Sequence, residues 1–325
     1  MHRSSLFVAQ VLLISLGFTL VVAAPLKLNR RAKASERSLF PIPNTISRWT
    51  TFVGSEDSIP LNAETMKAMI IGNPKPKYKE MFGKETIQVH YPKGSYRPGA
   101  EIPGGLSMYA KGALDLTNAK EATFGYSVMF PSGFDFVLGG KLPGFHGEDD
   151  ESVSVSCSGG RRDSRCFSAR LMWRPEGAGE LYTYLPPSGE SANKKLCTLA
   201  DSDCNPTYGT SIARGSFFFT PGQWTAVAER VRLNDVGEAN GELELFVNGK
   251  SVINANGLIF RDSDSGRIRG IQMQTFFGGS QPKWATPRDQ DTYFADLSVG
   301  ITETFDKQKG GSGNDEGDGV DLGTG

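Results

Sequence analysis

The sequence is poor in the residues that most enzyme chemistries draw on. It has three histidines, and since His2 lies in an apolar leader, only His90 and His146 are left for a mature domain. No GxSxG accompanies them, so a Ser-His-Asp triad lacks its usual frame. A P-loop and a dinucleotide glycine fingerprint are also missing. Charge of one sign is lacking too: the net value is −1, from 35 basic and 36 acidic residues. Nothing global therefore draws the chain to nucleic acid or to a membrane, and any affinity for an acidic partner has to be local.

Long hydrophobic runs are confined to the start. "MHRSSLFVAQVLLISLGFTLVVAAP" has a basic opening, an apolar stretch and a small-residue exit. Residues 1–24 read as a secretory signal peptide rather than an anchor, because the run is short for a span and Pro25 breaks it. Residues 25–31 follow as a linker, in which Arg30-Arg31 reads equally as a dibasic processing site. The Gly- and Asp-rich end, residues 309–325, has nothing to bury and is expected to be a disordered tail. Residues 32–308 show no repeat or internal linker and make one large domain.

Cysteine is scarce but even in number. Cys157, Cys166, Cys197 and Cys204 fit the disulfides of an exported chain, and their spacing favours Cys157–Cys166 and Cys197–Cys204 among three pairings. Zinc is the rival, weakened by the absence of CxxC and by the shortage of histidine.

Long helical patterns are rare, with Ala63–Gly72 the best short candidate. Alternation of period two is everywhere, in Phe124–Phe130, Phe167–Arg174, Glu180–Pro186, Trp224–Leu233, Glu242–Lys250, Ile271–Gly279 and Thr292–Val299. Many such strands in one domain predict an all-β sandwich of the jelly-roll type with few short helices. In "FSARLMWR" the apolar set Phe167, Ala169, Leu171 and Trp173 alternates with Ser168, Arg170, Met172 and Arg174. A hairpin with "ELYTYLP" would bring Ser168, Arg170, Tyr182 and Tyr184 onto one face, and Gln272 and Gln274 share a side of "IQMQTFF". Such a face suits a sugar cleft: tyrosine rings stack on pyranoses and arginine pairs with a carboxylate. An ordinary exposed sheet face explains it equally well.

"VLGGKLPGFHG" sets one lysine, Lys141, in a rigid Gly/Pro frame just past an apolar strand. The closely spaced carboxylates of many glucanases (ExDxxE) are missing, "ELELF" offering Glu242 and Glu244 only. Lysine, arginine, tyrosine and serine remain. They suit β-elimination on a uronic acid, which needs a neutralised C6 carboxylate, a base for the C5 proton and an acid for O4.

In order along the chain, "GGKLPG", "CSGG", "CFSARLMWR" and "GAGELYTYLP" resemble polysaccharide lyase family 14, and the later "PGQWTAVAERVRLN" and "TFFGGS" extend the likeness. The resemblance is strongest from Gly139 to Pro186. It implies a jelly roll that cleaves an acidic polysaccharide of glucuronan or alginate type by β-elimination, with no cofactor and no metal. It also implies a secreted, extracellular protein of fungal type, monomeric and free of the membrane once its signal is removed. Carried onto this sequence, it makes Lys141 the central catalytic residue, with Ser168, Arg170, Tyr182 and Tyr184 completing the site and Gln272, Gln274, Arg174 and Arg161 binding substrate. The alternative is a catalytically silent, lectin-like jelly roll that binds acidic glycans in the same cleft. One departure stands beside the motif: Glu148, Asp149, Asp150 and Glu151 would repel a polyanion unless turned away, whereas Arg161 and Arg162 would give a positive rim or merely an exposed turn.

Overall fold

The computed structural model describes residues 36–72 and 74–305; the expected signal peptide, linker and tail lie outside them. Strands are numbered in chain order. The first six are β1 (Ser47–Thr50), β2 (Ala68–Ile70), β3 (Lys77–Met81), β4 (Lys84–Tyr91), β5 (Leu106–Ala110) and β6 (Ala119–Met129). Next come β7 (Gly140–Glu148), β8 (Cys166–Trp173), β9 (Ala178–Tyr184), β10 (Asp203–Cys204) and β11 (Thr210–Phe218). The last are β12 (Trp224–Arg232), β13 (Gly241–Val247), β14 (Lys250–Leu258), β15 (Arg267–Phe277) and β16 (Gln290–Thr304).

These strands form two eight-stranded antiparallel sheets. The back sheet runs β14-β13-β12-β6-β16-β4-β3, with β1 also on β16, and the front sheet runs β10-β11-β9-β8-β7-β15-β5-β2. The core lies between them because each strand turns its apolar set inward: Phe124, Tyr126 and Val128 from β6 meet Phe167, Ala169, Leu171 and Trp173 from β8. Trp173 is enclosed edge-on by Tyr91, Phe130, Phe134 and Phe277. Truncating such a ring to alanine costs about 3–5 kcal/mol. The all-β jelly roll expected from the alternation is the architecture found.

The structure corrects one expectation and assigns one segment that the alternation left open. Ala63–Gly72 is not a helix: residues 63–67 make turns, Lys67 takes a positive φ of 45°, and Ala68–Ile70 pairs with β5. One turn capped by the Asn62 side chain could not outweigh the backbone bonds on offer at the sheet edge. The Gly/Pro frame around Lys141, to which the alternation assigned no element, is a strand. It is the central strand β7, paired to β8 on one side and β15 on the other. Its glycines are dictated by crowding, since a Cβ on Gly140 would lie 2.1 Å from the Trp173 ring and one on Gly144 would lie 2.0 Å from the Ala169 carbonyl.

Candidate active site

The outward face of the front sheet forms a cleft of about 730 Å³. The β8–β9 hairpin has the expected register, Arg170 opposite Tyr182 and Ser168 opposite Tyr184, and β7 sets Lys141 opposite Met172. Period-two geometry therefore brings Lys141, Arg170, Tyr182 and Tyr184 to one surface from three adjacent strands. All four line the cleft, as do Arg161, Arg174 and Gln274. Among its lining side chains, the basic ones are Arg97, Lys141, Arg161, Arg170, Arg174, Arg214 and Lys283, against one acid, Asp203. A near-neutral protein thus has a strongly positive cleft, which favours a polyanion.

Ser168 and Gln272 are on the same face but sealed beneath it. Ser168 Oγ donates to the Cys157 carbonyl at 2.8 Å, and Gln272 Nε2 donates to Tyr109 Oη and to Gln274 Oε1, each at 2.9 Å. Gln274 accepts from Arg170 at 3.0 Å, so Gln272 acts on the guanidinium through Gln274.

Lys141 is 9% exposed, and its surroundings disfavour charge. Burial, then the nearby Arg170 and Arg174, hold its pKa well below the ordinary lysine value, with only Glu180 opposing them. Nζ lies 2.7 Å from Met172 Sδ and 3.1 Å from the centre of the Tyr182 ring. Glu180 is engaged elsewhere, accepting from Arg174 at 2.5 Å, Ser211 at 2.6 Å and Arg214 at 2.9 Å. Arg170 is 1% exposed and lines the cleft, and its buried Nε has no partner among the described residues. Burial lowers its pKa, yet a guanidinium stays charged.

Two loops finish the cleft. Disulfides Cys157–Cys166 and Cys197–Cys204 form as the spacing favoured. The first loop carries Gly160, whose N–H donates to Tyr184 Oη at 3.0 Å; the second leads to Gly209, whose N–H donates to Tyr182 Oη at 3.1 Å. Each phenol oxygen thus accepts a backbone N–H, and Tyr182 also hydrogen-bonds Tyr184. Burial and the neighbouring Tyr184 push the Tyr182 pKa up, so that phenol keeps its proton. Arg162 joins the loops by donating to the Asn205 and Tyr208 carbonyls, whereas Arg161 holds the Val155 carbonyl and lines the cleft.

No member of the acidic run lines the cleft, and each is engaged by another group. Glu148 binds His146 Nδ1 at 2.8 Å, Asp149 accepts from Ser263, Asp150 caps Ser152 and Glu151 pairs with Lys111. Sequence reasoning missed Met172, Glu180, Ser211 and Arg214 as parts of this site. Met172 was visible in the outward set of "FSARLMWR", and Glu180 shares its face with Tyr182 and Tyr184. Arg214 follows a register break in β11 and had no pattern to reveal it.

Comparison with known proteins agrees with this geometry. No curated protein sequence matches the chain. Among solved structures, a PL-14 alginate lyase from Aplysia kurodai is 30% identical, with a TM-score of 0.67 over 79% of this chain and 98% of that one. An alginate lyase from a Chlorella virus shares the fold at 22% identity, with a TM-score of 0.61 over 79% of this chain and 100% of its own. The alginate lyase Aly36B is also 22% identical, with a TM-score of 0.51 over 69% of this chain and 86% of that one. The Polysaccharide lyase 14 family model matches residues 79–297. With two thirds of its length under that model and a 30%-identical structure matched almost end to end, the chain belongs to polysaccharide lyase family 14.

Proposed function

We propose that this lyase cleaves a uronic-acid polymer of glucuronan or alginate type by β-elimination, with Lys141 as the base. The observation that carries the assignment is a buried lysine, biased toward its neutral form, beside a buried arginine in a basic cleft. Arg170 receives the C6 carboxylate, held in place by Gln274, and withdraws charge so that the C5 proton becomes acidic. Lys141 Nζ takes that proton. The electron pair left on C5 forms the C4–C5 double bond as the C4–O4 bond breaks, and Tyr184 gives its proton to the departing O4. The Gly160 N–H then stabilises the phenolate. Tyr182 walls the lysine with its ring, and Arg161 and Arg174 meet neighbouring acidic units. Two disulfides support export to an oxidising compartment, so the protein acts outside the cell.

The test is incubation with glucuronan and with alginate, following absorbance of unsaturated uronate. Its appearance on either polymer supports the assignment. Binding without new absorbance, over a panel of acidic polymers and pH values, would instead make the protein a silent glycan-binding jelly roll.

A further inference from the structure

Behind the cleft, at a core position of the back sheet, sits a carboxyl group. Along β12 the inward residues are Val227, Glu229 and Val231, and Glu229 is 1% exposed. Burial pushes its pKa well above the ordinary carboxyl value, with the Phe145 N–H and Arg170 acting the other way, which favours the neutral acid. An apolar side chain would pack there without that desolvation cost.

Glu229 Oε1 accepts the N–H of Phe145, on β7 of the opposite sheet. From the neighbouring β6, Tyr126 Oη donates to the Pro143 carbonyl at 3.2 Å. Both bonds fall on one irregularity. Leu142 faces Leu171 and Gly144 faces Arg170, so β7 advances two residues while β8 advances one. That is a bulge at Pro143. Leu142 and Phe145 both point into the core although three positions apart, and Lys141 and His146 are consequently both on the cleft face. Losing the extra residue would turn one of the two segments over. Gly144, the bulge residue against Arg170, has no room for a side chain that could fix the distortion from the front.

We infer that Glu229 is a positioning residue: with Tyr126 it clamps the β7 bulge from behind and so fixes Lys141 relative to Arg170. Reacting groups misplaced by about 1 Å can lose some 100-fold in rate, so a clamp on this register bears directly on turnover. The inference rests on the lyase assignment proposed above.

Its test uses the full-length protein and a polymer the wild type cleaves. Glu229→Leu keeps the volume and removes the acceptor; kcat should fall about tenfold or more while KM changes less than about threefold. Glu229→Gln still offers an oxygen to Phe145 and should hold kcat within about threefold of wild type. Val231→Ala, a core truncation on the same strand, sets the baseline for simple destabilisation: Tm should fall and kcat should not. Wild-type kcat in folded Glu229→Leu overturns the inference, as does a loss in Glu229→Gln equal to that in Glu229→Leu. If Glu229→Leu does not fold, Tyr126→Phe replaces it, with a several-fold lower kcat expected and an unchanged kcat counting against the clamp. A wild type inactive on every polymer defeats the lyase assignment instead. The clamp is then tested alone by hydrogen exchange of the Phe145 amide, which should be faster in Glu229→Leu than in wild type; equal rates refute it.

Discussion

Lys141 Nζ faces the Tyr182 ring at 3.1 Å, and Glu180, the carboxylate that favours its charge, is already shared by Arg174, Ser211 and Arg214. A sulfur and a ring face are soft partners for an amine. The native state therefore bears the cost of burying this group, and that cost has a sign that depends on pH.

At pH values below the lowered native pKa, Lys141 is charged whether folded or not, and the full desolvation cost is present. Between that pKa and the ordinary 10.5, the unfolded chain binds more protons than the native one, so stability rises with pH. Lys141→Met should therefore raise Tm at about pH 7, with the advantage shrinking toward about pH 10. Thermal melts across that range check it, and a variant less stable than wild type at neutral pH would show that the lysine is not under strain.

The two tyrosines should separate by role. Tyr184→Phe removes the proton donor and should lower kcat by about 100-fold or more. Tyr182→Phe keeps the ring against Lys141 and loses the bonds to Gly209 and Tyr184, so a loss nearer tenfold is expected. Steady-state kinetics on one polymer decide it; the reverse order would move the acid role to Tyr182.

Arg170 should not tolerate lysine. A lysine ammonium gathers its three donors on one nitrogen and lacks the planar fork that holds Gln274 with one arm while another faces a carboxylate. Arg170→Lys is expected to lower kcat/KM by roughly 100-fold with the charge unchanged. Near-normal activity would mean that charge alone, without the forked geometry, neutralises the substrate.

How far the site was legible depended on period. Alternation in "FSARLMWR" and "ELYTYLP" was enough to place Arg170 and Tyr182 on one face, because antiparallel strands leave only the register to find. It did not place Lys141 on a strand, because three glycines, a proline and a bulge leave no alternation to read there. The acidic run stands beside the motif in sequence, and charge alone argued that it must keep out of the cleft; which partners hold it, such as His146 for Glu148, no local pattern told. Glu229 was visible in principle, as a charge in the inward set between Val227 and Val231, but its partner Phe145 lies on the other sheet and no local pattern links them.

The loops give a redox prediction. Opening Cys157–Cys166 frees the segment that carries Gly160 onto Tyr184. Cys157→Ser with Cys166→Ser should cost about 2–3 kcal/mol of stability. It should also depress kcat at temperatures where the fold is intact by circular dichroism. Peptide mapping of the wild type should recover Cys157 joined to Cys166, and full activity in the double variant would detach the loop from the chemistry.

The most direct measurement is the turnover of Lys141→Ala on a polymer that the wild type cleaves, read as unsaturated uronate released per enzyme, with Lys141→Arg beside it. Proton abstraction by Lys141 predicts a fall of at least about 100-fold in the folded alanine variant. It also predicts no rescue by arginine, which keeps the charge but holds its proton at any working pH. Wild-type turnover in Lys141→Ala, or substantial activity in Lys141→Arg, would contradict it.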